Sequence, residues 1–356
     1  MSEIASPEIE SLASLLRFGL FGGAVPSPMP LTESQWQSLF DLSRRQAVTA
    51  LTYDAVLKLP PDLRPPRRVL FHFATVAETV ERDNRRREAA LCHFAALCRR
   101  QLKLDITVVK GSSLSALYPE PLHRECGDND LYSGSDTQCI GAMLEAMGID
   151  VDRKDPRHIT FLYEHTTFEA HNYLLYHNDD PQWHSVQAVQ QEYKEGTSPS
   201  PSEAYFTLPP AESAFFLAKH CEHHSVFFHA PVRLRTLLDW AMLLSGGAFD
   251  YAAFCRLKQG TDVDVFADLL THYCNTLFGL ELPCDHERLE KKRLRDDDFY
   301  NIYMCCPQRH PSALVRVARR SGKYLRFSRQ YRAIYEQSMF RRFYLKNLGV
   351  AVRQHL

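Results

Sequence analysis

The chain has 356 residues, enough for about two domains that each bury a core without disulfide or metal staples. Apolar residues make up 45% and charged residues 24%, which excludes fibrous, collagen-like and wholly disordered chains. With 42 basic and 43 acidic side chains the net charge is −1, so any attraction to nucleic acid or anionic lipid has to come from a local patch.

The segment from Leu12 to Leu31 comes nearest to a membrane span, but Arg17, glycines and prolines interrupt it. Glu3, Glu8 and Glu10 precede it where an export signal would carry positive charge, so neither a secretion signal nor a span is expected. Ten cysteines with no CxxC pair point to free thiols and a cytoplasmic protein.

Residues 1–103 read as an N-terminal helical region. Trp36 to Leu57 and Val69 to Leu102 carry apolar residues at three- and four-residue steps (Leu91, Phe94, Ala95, Cys98, Leu102), while Arg85, Arg86, Arg87, Arg99 and Arg100 suit a solvated face. Pro60, Pro61, Pro65 and Pro66 separate the two stretches.

From 104 to 180 the texture becomes α/β. Ile106 to Val109 predicts a strand, Lys110-Gly111-Ser112-Ser113 a turn, and Leu114 to Tyr118 a short helix stopped by Pro119. A second strand is expected over Cys126 to Tyr132, a helix from Thr137 to Met147 ended at Gly148, and a hairpin of His158 to Tyr163 and Thr166 to Leu174. The polar, proline-bearing stretch from 181 to 204 reads as a linker, and 205–356 as a C-terminal helical domain. Helices are expected over Ala211 to His224, over Val232 to Leu244, and from an Asp250 cap through Lys258. Arg316 to Arg353 holds eleven Lys or Arg against one acid, Glu336, interleaved with tyrosines and phenylalanines. Inward packing of those aromatics is favoured over nucleic-acid binding.

Chemistry concentrates in two places. Asp128 and Asp130 are two apart on a strand, so their carboxylates share a face about 7 Å apart and repel unless a hard cation sits between them. The Gly111-Ser112 turn between strand and helix suits a phosphate, with Lys110 adding positive charge. Glu169 and His171 share a face opposite Phe168, which brings Glu169 to the same cleft if the two strands are neighbours. Three carboxylates suit two cations that steady attacking and leaving oxygens.

Lys110-Gly111-Ser112, Leu117-Tyr118-Pro119, Arg124, Asp128-x-Asp130-Leu131, Phe168-Glu169-Ala170-His171 and the later Leu237-Leu238-Asp239 resemble the nucleotidyltransferase (polymerase beta-like) superfamily. They are most similar to its bacterial branch of uncharacterised nucleotidyltransferases, over about Trp36 to Phe254. The resemblance implies an α+β fold, a small mixed-sheet core flanked by N- and C-terminal helical regions. It implies a Mg²⁺-dependent transferase that moves a nucleoside monophosphate, AMP from ATP, to a hydroxyl of a small molecule, peptide or protein. Asp128, Asp130 and Glu169 would hold two Mg²⁺ ions, with Lys110, Gly111, Ser112 and Arg124 on the nucleotide. Asn129 stands where that family has an apolar residue, and fifteen residues between Ser112 and Asp128 exceed its commoner spacing. These departures keep a second reading open, a degenerate module that binds a nucleotide, nucleic acid or protein.

Other residues have plainer expectations. His220, His223, His224 and His229 lack an HExxH order and read as core or surface histidines rather than zinc ligands. Arg235 and Asp239, four apart, read as a helix ion pair. Arg124 either contacts phosphate or pairs with a neighbouring acid.

Overall fold

A computed structural model describes residues 7–27, 29–155, 158–172, 198–199, 203–227, 232–259, 261 and 263–291. The polar stretch expected as a linker lies largely outside these residues, and the basic, aromatic C-terminal segment lies wholly outside them.

The N-terminal helices are α1 (Pro7–Phe21), α2 (Glu33–Gln46), α3 (Thr49–Lys58) and α4 (Arg67–Leu102). The stretch read as periodic from Trp36 to Leu57 is broken in two at Ala47, which adopts a left-handed φ of 56° and ends α2. At the other end of α2, the Thr32 side chain accepts from the Gln35 amide while the Gln35 side chain accepts from the Thr32 amide, a reciprocal cap.

One mixed sheet follows, ordered β3-β4-β5-β2-β1-β7-β6, built from β1 (Thr107–Val108), β2 (Asn129–Tyr132), β3 (Val151–Asp152), β4 (His158–Tyr163), β5 (Thr166–His171), β6 (Ser198–Pro199) and β7 (Phe206–Thr207). The Gly-Ser turn opens α5 (Ser112–Ser115) and the second crossover is α6 (Thr137–Ala146). The C-terminal helices are α7 (Pro210–Phe227), α8 (Leu234–Ser245), α9 (Tyr251–Lys258), α10 (Val263–Phe278) and α11 (His286–Lys291). The Asp250 carboxylate accepts from the Ala253 amide at 2.9 Å, the cap expected for α9. This is the α+β class, a small mixed sheet flanked by helical regions. Among the described residues no helix is long and apolar enough to cross a membrane, and all eight cysteines are free thiols.

Two hydrophobic cores hold the molecule together. The larger joins the N-terminal helices to the C-terminal ones, with Leu12, Leu16, Trp36 and Leu51 packed among Phe215, Trp240, Phe266 and Phe278. The smaller lies under one face of the sheet, where Leu131, Ile159, Phe161, Phe168 and Ala170 meet Leu91 and Phe94 of α4 and Ile140 and Leu144 of α6. Phe168 is the centre of that face, 5.2 Å from the Phe94 ring and 5.4 Å from Phe161. Helix α4, 36 residues long, serves both cores, with Val69 and Phe73 in the first and Ala90, Leu91, Phe94, Ala95 and Cys98 in the second.

Strand alternation decides what the opposite face carries. With Leu131, Phe168 and Ala170 turned to the core, Asp130, Glu169 and His171 are left on the other side. The β4–β5 hairpin closes through Glu164 and His165, both at positive φ (46° and 59°), the backbone of a tight two-residue turn. That turn fixes the register, so His158 faces His171 across the pair.

Candidate active site

Strands β2 and β5 run parallel with Asp130 paired to Glu169, the adjacency that the sequence reading required. Asp128, just before β2, completes the group: one carboxylate oxygen from each of Asp128, Asp130 and Glu169 lies within 4.8 Å of the others. Asp130 is fully buried, whereas Asp128 and Glu169 are half-buried.

Two basic side chains, Lys110 and His171, face the acids. Lys110 Nζ is 2.9 Å from Asp130 Oδ2, and His171 Nε2 is 3.3 Å from Asp130 Oδ1 and 3.6 Å from Glu169 Oε2. Burial opposes ionisation of Asp130, yet Lys110 and His171 outweigh it and hold its carboxyl well below the usual range. Burial likewise opposes charge on Lys110 and His171, and the carboxylates around them reverse that and raise both. The His171 hydrogen bond lowers Glu169. Asp128 goes the other way, pushed up by burial and then by the charge of Asp130.

Gly111 forms the turn beside this group. Its φ of 77° suits glycine alone, and an added Cβ would come within 2.9 Å of the Asp128 carbonyl oxygen, so a side chain here would push the turn off the acids. The helix after it starts at Ser112, earlier than the Leu114 expected, because Gly111 itself is the cap. With only four residues, α5 contributes little dipole at this turn. A cavity of about 290 Å³ opens beside α5, with Ser112, Arg87, Glu88 and Tyr205 among its walls.

The long connection from Ser112 to Asp128 is stitched to the helices around it. The Glu125 carboxylate accepts from the Thr49 amide at 2.7 Å, at the start of α3. His123 Nδ1 is 2.8 Å from both oxygens of Asp54, and the Asn84 amide on α4 donates to the carbonyls of Leu122 and Arg124. These ties shorten the second strand, which begins at Asn129 rather than Cys126.

Arg124 is 2% exposed. Its Nε and one terminal nitrogen reach the Asp239 carboxylate at 2.6 and 2.7 Å, and the other terminal nitrogen donates to the Gly111 carbonyl at 3.2 Å. Of its two readings the structure shows the ion pair; Arg124 holds the turn in place from behind. Tyr118 donates to the same carboxylate at 2.8 Å. Asp239 therefore does not pair with Arg235, as its helical spacing suggested; Arg235 donates instead to the Glu125 carbonyl at 2.9 Å. His220 Nε2 lies 3.2 Å from Lys110 Nζ, linking α7 to the cleft, and the side chains of His223, His224 and His229 lie outside the described residues.

Asn129 is fully buried in β2, and among the described residues neither its side-chain oxygen nor its nitrogen has a hydrogen-bond partner. His171 and His158 were given no role in the sequence. The signal was present, since His171 shares the Glu169 face and a two-residue turn places His158 opposite it.

The family model of the uncharacterised nucleotidyltransferases matches residues 32–279. The chain belongs to this family. The match extends beyond the span over which the motifs carried the resemblance and takes in α10. No match was found among curated proteins or solved structures.

The donor set fits a hard dication. Three carboxylates from β2, its leading residue and β5 supply only oxygen, as Mg²⁺ requires, and leave room in the shell for water and phosphate.

Proposed function

We propose that the chain is a Mg²⁺-dependent nucleotidyltransferase that moves AMP from ATP to a hydroxyl of a small molecule, peptide or protein, with release of pyrophosphate. The observation that carries the reading is the convergence of Asp128, Asp130 and Glu169 beside the glycine turn, within a member of this family. Asp128, Asp130 and Glu169 would hold two Mg²⁺ ions, whose charge would steady the attacking and leaving oxygens at the α-phosphate. Lys110 and the N–H groups of Gly111 and Ser112 bind the phosphates. Arg124 keeps the turn at its distance from the acids through the Gly111 carbonyl and Asp239. A cytoplasmic location belongs to the same reading.

Neither departure that motivated a degenerate module falls among the ligands. Asn129 is buried with its side-chain oxygen beside the Gly111 turn rather than among the three carboxylates, and the extra residues before Asp128 are used to fasten the turn to α3, α4 and α8. The test is Mg²⁺-dependent pyrophosphate release, with mass spectrometry of a lysate incubated with protein and labelled ATP to identify the acceptor. Asp128→Ala is expected to abolish release while the melting temperature is retained. Full turnover by that variant would overturn the ligand assignment, and ATP binding without any transfer would favour the degenerate module.

A further inference from the structure

His158, Glu169 and His171 also bring one ligand atom each to within 4.8 Å of one another. His158 Nε2 is 3.9 Å and His171 Nε2 is 3.6 Å from the same Glu169 oxygen, Oε2. Ligands held at about 2.1 Å by one tetrahedral ion lie about 3.4 Å apart, so the three are close to coordination distance without backbone movement. The arrangement is fixed by pairing rather than by loop conformation, because His158 and His171 are direct partners in the β4–β5 register and their rings are 4.9 Å apart. All three side chains retain some solvent exposure, at 15%, 28% and 13% for His158, Glu169 and His171, so an ion can reach them.

We propose that His158, Glu169 and His171 form a second, nitrogen-rich cation site that takes a first-row transition dication such as Mn²⁺, Co²⁺ or Zn²⁺. Imidazole nitrogen is a poor partner for Mg²⁺ but a good one for these borderline ions, whereas the Asp128–Asp130 side offers oxygen alone. Glu169 belongs to both groups and bridges them. Asp130 Oδ1, 3.3 Å from His171 Nε2, adds negative charge beside the ion. The cleft thus has two halves of different hardness along one sheet face. The inference goes beyond the transfer reading and depends only on the hairpin register and the donor atoms.

The experiment uses untagged, metal-stripped full-length protein titrated with Co²⁺. Expected are a visible d–d band and two exchangeable, hyperfine-shifted imidazole N–H proton signals, both removed by stoichiometric Zn²⁺ and retained in excess Mg²⁺. His158→Gln should lose one signal and weaken Co²⁺ binding by at least about tenfold. Asp128→Asn, which touches only the oxygen half, should keep both signals. Absence of shifted imidazole signals in the wild type, their displacement by Mg²⁺, or unchanged Co²⁺ affinity in His158→Gln would overturn the proposal. If His158→Gln does not fold, the wild-type signals and their metal competition decide alone. Intact Co²⁺ signals in a protein that never releases pyrophosphate would sink the transfer reading and leave this one standing.

Discussion

Two clusters of buried charge lie on either side of the Gly111 turn, and they are constructed in opposite ways. Around Arg124 the donors and acceptors are matched, with Asp239 receiving both the guanidinium and the Tyr118 hydroxyl and the Gly111 carbonyl taking another N–H. Around Asp130, three carboxylates crowd together with one lysine and one histidine, and Asp128 resists ionisation beside its neighbour. The first cluster is charge used to hold a shape. The second leaves more acids than bases in one cleft, the arrangement on which the proposed transfer rests.

The sharpest way to break that comparison is to remove one partner from each cluster. Asp239→Ala leaves a buried guanidinium unpaired and should lower stability by about 3–5 kcal/mol, read from denaturant melts. Asp128→Asn removes a repelling charge and should change stability by about 1 kcal/mol or less, while removing activity. Equal stability losses in the two variants would show that the clusters are not different in kind. Arg124→Lys should cost about 2 kcal/mol, because a lysine cannot reproduce the two-pronged contact with Asp239. The same melts detect it.

A smaller and opposite effect is expected at Asn129. Its amide is fully buried with no hydrogen-bond partner among the described residues, so Asn129→Leu should raise stability by about 1–2 kcal/mol. An unchanged or lower melting temperature would mean that the amide is satisfied in solution. The smallest effect concerns His123, half-buried against Asp54, whose hydrogen bond raises the imidazole pKa. A raised folded pKa contributes stability that is complete below the unfolded value of about 6.5 and fades as pH rises through the folded one. The melting temperature of wild type relative to His123→Gln should therefore be highest in mild acid and converge in alkali.

The sequence was most legible where a single period governs. Helical spacing located α4 and α8, the Asp250 cap located α9, and alternation around Phe168 and Leu131 placed Glu169 with Asp130 on one face. It was least legible where partners are distant along the chain. Arg235 and Asp239 share a helix face, but burial of Asp239 against Arg124 outweighs that local pairing. The contact between Lys110 and His220 spans 110 positions and has no periodic trace. His158 lies between these cases, recoverable once the turn at Glu164 and His165 is counted at two residues.

Helix α4 runs roughly 54 Å at 1.5 Å per residue, threading both hydrophobic cores on one continuous rod. Fraying at the sheet end therefore loosens the same hydrogen-bonded ladder that anchors the N-terminal bundle. Amide protons near Phe73 and near Phe94 should consequently exchange with a common opening free energy, so that the sheet layer and its helical support melt as one cooperative unit.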